Sequence, residues 1–168
     1  STDNKNQPMS PQKSEQKNQY MLSQVMDMNK KGQYEKSFEL LQSLSRTGMP
    51  EAQSLLAKSY HLGLGTKINP QKAEYWYKLA ASQNYPISLY LLANLYKEYD
   101  DPEGYNLYIE RAVLSDLNIA TEMFVLQLYL DKDKDRILEW YEKTKGLKNH
   151  YIFENYLLEY LIEENKTE

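Results

Sequence analysis

The sequence contains no cysteine, which excludes a disulfide framework, a thiolate metal site and a cysteine nucleophile. Its two histidines, His61 and His150, have no further ligands at zinc spacing around them. No apolar run approaches the roughly 20 residues that a membrane-spanning helix needs. The net charge of −4 offers no basic face of the kind that binds nucleic acid. We therefore expect no cofactor, no metal ion, no nucleic acid partner and no transmembrane segment.

Phenylalanine is also scarce, and tyrosine takes its place: the chain has 3 Phe against 16 Tyr. Tyrosine is the aromatic residue that tolerates partial exposure, so aromatic side chains are expected near the surface. The commoner alternative is core packing in which only the hydroxyl reaches solvent. The length of 168 residues allows one domain with a substantial core.

The first residues are polar apart from Met9, and Pro8 and Pro11 interrupt them. Such a segment buries too little apolar surface to order itself, which predicts a disordered leader over residues 1–17. The sequence begins at Ser1 without a methionine. Two origins stay open: a tether left after an export or lipoprotein signal is removed, with a lipid anchor upstream of Ser1, or a cloning boundary.

Two amphipathic helices are predicted in the stretch from residue 48 to residue 84. The first has Pro50 in its first turn and Gly63 just past its end, where helices favour these residues. Asn69 then precedes Pro70, an N-cap side chain followed by proline at the first helical position. Apolar residues recur at helical spacing in both segments: Ala52, Leu55, Leu56, Ala57 and Tyr60 in the first, and Ala73, Trp76, Tyr77, Ala80 and Ala81 in the second.

The pattern of that second helix recurs along the chain at nearly constant intervals. The equivalent positions are Ser37, Ala73, Tyr105 and Ile137. Good N-cap residues lie at the same distance before the last three of them: Asn69, Asp101 and Asp133. These features predict an all-α fold, an α-solenoid of antiparallel helical hairpins with about four helix pairs and a C-terminal capping helix. We expect it to form a single domain over residues 18–168.

The predicted helix bounds follow from the same breaks and caps. Outside the stretch described above, the predicted helices are a first helix ending at residue 31, then 33–46, 86–99, 102–115, 119–130, 134–145 and 151–164.

The stretch from residue 48 to residue 84 resembles the Sel-one-like repeat, a relative of the tetratricopeptide repeat. The first-helix motif is matched by Ala52, Leu56, Ala57 and Tyr60. The G-x-G loop is matched by Gly63 and Gly65. The second-helix motif is matched by Ala73, Trp76, Tyr77, Ala80 and Ala81. The resemblance implies a curved superhelix that serves as a protein-binding or assembly scaffold, often exported in bacteria, with no shared enzymatic activity.

One run of charged residues is similar to a calcium-binding loop. Asp131, Asp133, Asp135 and Glu142 occupy positions 1, 3, 5 and 12 of that template, but Arg136 stands where a sharp turn needs glycine. The repeat phase makes Asp133 a helix cap instead. We therefore interpret the run as a capped turn between two helices.

The functional surface is expected on the inner wall of the solenoid, which first helices form in this class of repeat. Helical phase predicts nine partner-binding residues on this wall: Lys58, His61, Tyr90, Asn94, Lys97, Glu122, Leu126, Tyr129 and Glu154. Aromatic and apolar residues flanked by charges have the composition of a binding hot spot. The alternative is that Leu126 and Tyr129 pack on the C-terminal helix.

The leading functional hypothesis is a non-enzymatic module that binds a protein or peptide in the concave groove as a monomer. Its more specific form is an exported bacterial immunity or inhibitor protein, periplasmic or anchored to the envelope, with a cytoplasmic location left open. The alternative from another class is a cell-envelope factor that recognises peptidoglycan or another glycan through tyrosine. An enzyme whose carboxylates meet only in the fold is the remaining alternative.

Overall fold

The structure is a computed structural model, and it describes residues 8–167. This part of the chain contains helices and no strands, which confirms the all-α fold class. The nine helices within it are α1 (Pro11–Lys30), α2 (Tyr34–Ser45), α3 (Pro50–Leu62), α4 (Pro70–Ser82), α5 (Pro86–Glu98), α6 (Pro102–Leu114), α7 (Asn118–Leu130), α8 (Lys134–Lys143) and α9 (His150–Thr167).

The chain divides into two compact units, residues 1–80 and residues 81–168. The first contains α1 to α3 and most of α4, and the second contains α5 to α9. The prediction of a single domain over residues 18–168 stays a prediction.

Helix α1 begins earlier than the polar composition suggested. The leader was predicted to be disordered to residue 17, but residues 11–17 are helical. Ser10 is the reason, because its hydroxyl accepts a hydrogen bond from the backbone N–H of Lys13 and Pro11 occupies the first helical position. The part of the leader prediction that covers residues 1–7 lies outside the described residues.

The core of the first unit lies between α1, α2 and α3. Val25, Leu41, Leu44, Ala52 and Leu56 are almost fully buried there. The loop between α3 and α4 is packed against the beginning of α2, since a Cβ on Gly65 would lie 2.2 Å from the carbonyl oxygen of Tyr34. Only glycine fits such a close backbone approach, so this loop is part of the packed structure of the unit.

The second unit is built from a regular repeat of one helix and one turn. Its helices begin at residues 86, 102, 118, 134 and 150. The residue two positions before each of the first four is in the left-handed region, at Asn84, Asp100, Asp116 and Lys132, with φ between 55° and 61°. Asn and Asp tolerate this conformation better than most residues, and it reverses the chain after each helix. The longer period that the sequence shows is therefore two of these structural half-repeats.

The three predicted N-caps are confirmed. Asn69 Oδ1 accepts the backbone N–H of Lys72 at 3.0 Å, and Asp101 Oδ1 accepts that of Gly104 at 2.9 Å. Asp133 Oδ1 accepts the N–H of Arg136 at 3.2 Å. Each side chain satisfies a donor that the first turn of a helix leaves unpaired.

The core of the second unit ends in an aromatic cluster. Phe124 of α7 lies edge-on to Trp140 of α8 with ring centroids 5.1 Å apart, and Phe153 of α9 stacks on Trp140 at 6.4 Å. All three side chains are almost fully buried. The cluster fixes α9 against the hairpin of α7 and α8, which is the position predicted for a C-terminal helix packed on the last repeat.

Candidate functional site

The first helices of the second unit, α5, α7 and α9, occupy equivalent positions in the repeat and begin at residues 86, 118 and 150. Each packs one side into the core, as the full burial of Ala93 in α5 and of Val125 in α7 shows. The opposite side of α7 carries four exposed apolar residues at spacings of 4, 3 and 4, which places them on one face of the helix. They are Ile119, Met123, Leu126 and Leu130, with exposures of 52%, 39%, 36% and 65%. We call these four residues the α7 stripe.

The equivalent positions are apolar at two of four places on α5 and apolar or aromatic at three of four on α9. On α5 they are Ile87, Leu91, Asn94 and Glu98, and Ile87 is 45% exposed. On α9 they are Tyr151, Asn155, Leu158 and Ile162, of which the three apolar or aromatic ones are 48–59% exposed. Apolar side chains at matching exposed positions on successive helices are more than the scattered surface leucines of an ordinary protein, and such a patch is typical of an interaction surface.

Tyrosines join α7 to α9 beside this stripe. The ring of Tyr129 lies 5.6 Å from that of Tyr156 and 6.2 Å from that of Tyr160, both edge-on. We call these three residues the tyrosine seam. The hydroxyl of Tyr129 donates a hydrogen bond to the carboxylate of Glu163, which raises the pKa of Tyr129 to about 12. The pKa of Tyr156 is raised by burial and then by the nearby carboxylates of Glu122 and Glu159.

The seam and the stripe meet in an open cleft of about 410 Å³ at the carboxyl end of α7. Leu130 from the stripe lines it, together with Tyr129, Tyr160 and Glu163. Glu164, which also lines the cleft, is paired with Lys134 at 2.6 Å, and the Lys134 ammonium lies 5.7 Å from the centre of the Tyr160 ring. The cleft thus combines apolar, aromatic and anionic groups.

The two units differ in charge. Residues 1–80 hold 11 Lys and Arg against 7 Asp and Glu, and residues 81–168 hold 9 against 17. The formal net charges are therefore +4 and −8, although the chain as a whole carries only −4. The apolar surface of α7 and α9 lies in the acidic unit.

The comparisons with known proteins agree on the repeat. The family model described as Sel1 repeat matches residues 50–85, the region of α3 and α4. Among solved structures, a Sel1 repeat protein from Oxalobacter formigenes is similar to this chain, with a TM-score of 0.53 and 26% sequence identity. The region of α3 and α4 is therefore similar to a Sel1 repeat. The match covers 55% of this chain and only 28% of the Oxalobacter chain, so it spans little more than a quarter of that protein.

No curated protein matches this chain. Sel1 repeats generally serve as scaffolds for protein interactions, and the family is typically non-enzymatic. Among the helices of residues 8–167, none is long and apolar enough to cross a membrane.

The structure places the nine predicted wall residues at different depths. In the first unit, Lys58 is exposed, and Nδ1 of His61 lies 3.4 Å from the hydroxyl of the buried Tyr77. In the second unit, Lys97, Glu122, Leu126 and Glu154 are exposed, whereas Tyr90, Asn94 and Tyr129 are half-buried. Lys97 lies over the ring of Tyr105 at 5.4 Å, and the raised pKa of Tyr105 arises from burial and then from its neighbour Tyr90.

On α7 the structure brings together three of these nine residues, Glu122, Leu126 and Tyr129. Sequence reasoning missed the other exposed apolar positions of the α7 stripe. The signal that could have found them is the recurrence of Ile87, Ile119 and Tyr151 at one position of the repeat, a position that the core does not need.

The carboxylates of the sequence that is similar to a calcium-binding loop, residues 131–142, have separate partners. Asp131 accepts both hydrogen bonds from Gln127, and Asp133 caps α8. Glu142 pairs with Lys145 at 2.6 Å. No group of three or more acidic, histidine or cysteine side chains suited to a metal ion occurs within residues 8–167. The hydrogen bond from the Arg136 N–H to Asp133 supports the interpretation of this segment as a capped turn between two helices.

A second cleft, of about 270 Å³, lies between α5, α6, α7 and α8. Lys97, Asp101, Tyr105 and Arg136 are among its lining residues. Several of these already serve the fold: Asp101 caps α6, and Arg136 pairs with Glu110 at 2.9 Å while its guanidinium covers the Phe124 ring. The chemistry of this cleft is therefore mainly structural.

Proposed function

We propose that this protein is a non-enzymatic scaffold that binds another protein through the exposed face of its first helices, centred on the α7 stripe. The observation that carries the proposal is the exposure of Ile119, Met123, Leu126 and Leu130 on one helix face. The four side chains are 36–65% exposed, so covering each contributes a part of the roughly 1.5–3 kcal/mol that full burial gives, and side by side they can form the apolar centre of an interface.

The composition around the stripe supports this function. The centre is apolar, and Glu122 on α7 and Glu154 on α9 are exposed at equivalent positions, so charged groups lie beside it. An apolar centre with a charged rim is the usual arrangement of a protein–protein interface. We propose that this face lies in the concave groove that repeats of this class form.

The more specific proposal is that the partner is a toxin and that binding neutralises it. The support is the family resemblance, since some members of this repeat family serve as immunity proteins, and the acidic second unit is suited to a basic partner. A periplasmic or envelope-anchored location belongs to the same proposal. Fractionation of the native cells tests the location, and recovery in the cytosolic fraction would overturn it.

The glycan alternative receives less support. Sugar recognition by tyrosine uses an open ring face, whereas Tyr129 lies against two other tyrosines and its hydroxyl is bound to Glu163. Tyr90, the other tyrosine of that hypothesis, is half-buried.

The test is capture of the native partner with matched variants. We expect the wild-type protein to retain one stoichiometric protein from native cells, and the double variant Leu126→Gln with Leu130→Gln to lose it. The matched control is Leu107→Gln with Leu114→Gln. These side chains are comparably exposed at 57% and 50%, but they lie on α6 and not on the α7 stripe. Equal capture by both double variants would refute a site on the α7 stripe.

A further inference from the structure

We infer that the occupant of the α7 stripe is a basic amphipathic helix of the partner protein. The inference rests on the proposed function, because it names the chemistry of the segment that the same face binds. It follows from the geometry of the stripe, the charge of its surroundings and the groups at its carboxyl end.

The geometry of the stripe suits a helix. Its four side chains run from Ile119 to Leu130, which corresponds to about 17 Å of helix axis. Their spacing of 4, 3 and 4 forms the ridge that packs against an apolar ridge of similar spacing on a second helix. The partner segment is thus expected to have about three turns, with apolar residues at heptad spacing.

The charge beside the stripe suits a cation. Glu122 on α7 and Glu154 and Glu159 on α9 form no ion pair within the described residues. Glu122 and Glu159 both act on the pKa of Tyr156, so they lie close to the tyrosine seam that borders the stripe. Lysine and arginine on the flanks of a bound helix would face these carboxylates, and the net charge of −8 on the second unit would steer such a segment to it.

The cleft at the carboxyl end of α7 provides a specific place for one of those cations. Within the molecule, the Lys134 ammonium already lies over the Tyr160 ring and binds Glu164. The other side of the cleft carries the Glu163 carboxylate. A lysine or arginine of the partner helix would bind there through its charge and a hydrogen bond to this carboxylate.

A second copy of this chain is a weaker candidate for the occupant. In a two-fold dimer through this face, the acidic surroundings of the stripe on one copy would meet those on the other. That repulsion opposes association, whereas a basic segment removes it. Self-association is therefore an outcome that the test must detect.

The test uses three fluorescein-labelled peptides of about 18 residues, long enough to form a helix on binding. The first has leucine at heptad spacing and lysine elsewhere. The second replaces every lysine by glutamate, and the third keeps the composition of the first but scatters the leucines. Fluorescence anisotropy measures their binding to the full chain, and light scattering measures the mass of the protein alone.

We expect the lysine peptide to bind at least about tenfold more tightly than the glutamate and scattered peptides. Leu126→Gln with Leu130→Gln weakens it about tenfold or more. Glu122→Gln with Glu159→Gln weakens it several-fold at low salt and less at high salt, because salt screens exposed charges. Leu107→Gln with Leu114→Gln leaves it unchanged, and circular dichroism confirms that all variants are folded.

Equal binding of the lysine and glutamate peptides would overturn the inference. So would binding of the lysine peptide that Leu126→Gln with Leu130→Gln does not weaken. So would a stable dimer that Leu126→Gln with Leu130→Gln dissolves, since the occupant would then be a second copy. If the native partner is captured through the α7 stripe but the lysine peptide fails to bind, the inference fails and the proposed function stands. If Leu126→Gln with Leu130→Gln affects neither capture of the partner nor peptide binding, the inference and the proposed function both fail.

Discussion

The side-chain amide of Asn149 donates a hydrogen bond of 2.6 Å to the hydroxyl of Thr121. The same amide group donates to the carbonyl oxygen of Val113 at 2.8 Å, and Asn149 is fully buried. Its backbone N–H is bound to Asp116, whose carboxylate also accepts the N–H of Lys148. One residue before α9 is thus tied to the end of α6 and to the first turn of α7, and it holds the last helix in place.

Replacing Asn149 by alanine is expected to destabilise the second unit by about 1–3 kcal/mol, since it removes two buried hydrogen bonds that each contribute roughly 0.5–1.5 kcal/mol. Asn149→Asp is expected to lower the free energy of unfolding further, because a carboxylate oxygen would then face the Val113 carbonyl and Thr121 hydroxyl oxygens, which both accept hydrogen bonds from Asn149. The measurement is urea unfolding followed by Trp140 fluorescence in a Trp76→Phe background, in which Trp140 is the one tryptophan. Asn155→Ala on the exposed side of α9 is the control, and an equal loss in both variants would contradict the prediction.

Gly65→Ala is expected to destabilise the first unit by about 2 kcal/mol or more. The new Cβ would lie 2.2 Å from the carbonyl oxygen of Tyr34, and the φ of +73° strains any other residue. Gly48→Ala is the matched control, because its φ is +88° but nothing lies within 4 Å of the added Cβ, so only the backbone strain of roughly 1 kcal/mol applies. Urea unfolding followed by Trp76 fluorescence in a Trp140→Phe background compares the two variants. Equal decreases in the free energy of unfolding would show that the loop moves to accommodate the new Cβ.

Asp133→Ala is expected to destabilise the second unit by about 0.5–2 kcal/mol, the usual cost of losing an N-cap. If the run from Asp131 to Asp135 bound calcium instead, millimolar calcium would raise the midpoint of unfolding of the wild type and not of the variant. We expect calcium to leave both midpoints unchanged. A calcium-dependent gain in the wild type would refute the interpretation as a capped turn.

The helical hairpins could be predicted from the sequence because their signals are local. Asn69, Asp101 and Asp133 are read as caps from their distance to an apolar stripe, and the structure confirms all three. The start of α1 was missed although Ser10 and Pro11 form the same cap-and-proline pattern as Asn69 and Pro70. The helix that follows is polar, so no apolar stripe accompanies this cap in the sequence.

The wall was harder to predict because its phase depends on the neighbouring helix. Helical phase alone predicts Tyr129 and Leu126 together on the inner wall. The structure places Tyr129 half-buried at the seam with Tyr156 and Tyr160, and leaves Leu126 on the exposed stripe. No pattern within α7 shows on which side α9 will pack, so the rotation of the exposed face could not be fixed from the repeat alone.

The contact between Tyr129 and Glu163 predicts a pH dependence at the seam. The carboxylate accepts a hydrogen bond from the neutral phenol and would repel a tyrosinate, so the pKa of Tyr129 rises to about 12 from an ordinary value near 10. Because the pKa is higher in the folded state, this contact stabilises the fold fully below about pH 10 and the stabilisation is lost as the pH rises from about 10 to 12. We expect Glu163→Gln to lower the pKa of Tyr129 toward 10, as measured by NMR titration of ¹³Cζ-labelled tyrosine. Glu164→Gln is the control, since Glu164 pairs with Lys134. A Tyr129 that titrates near 10 in the wild type would show that the hydrogen bond does not form.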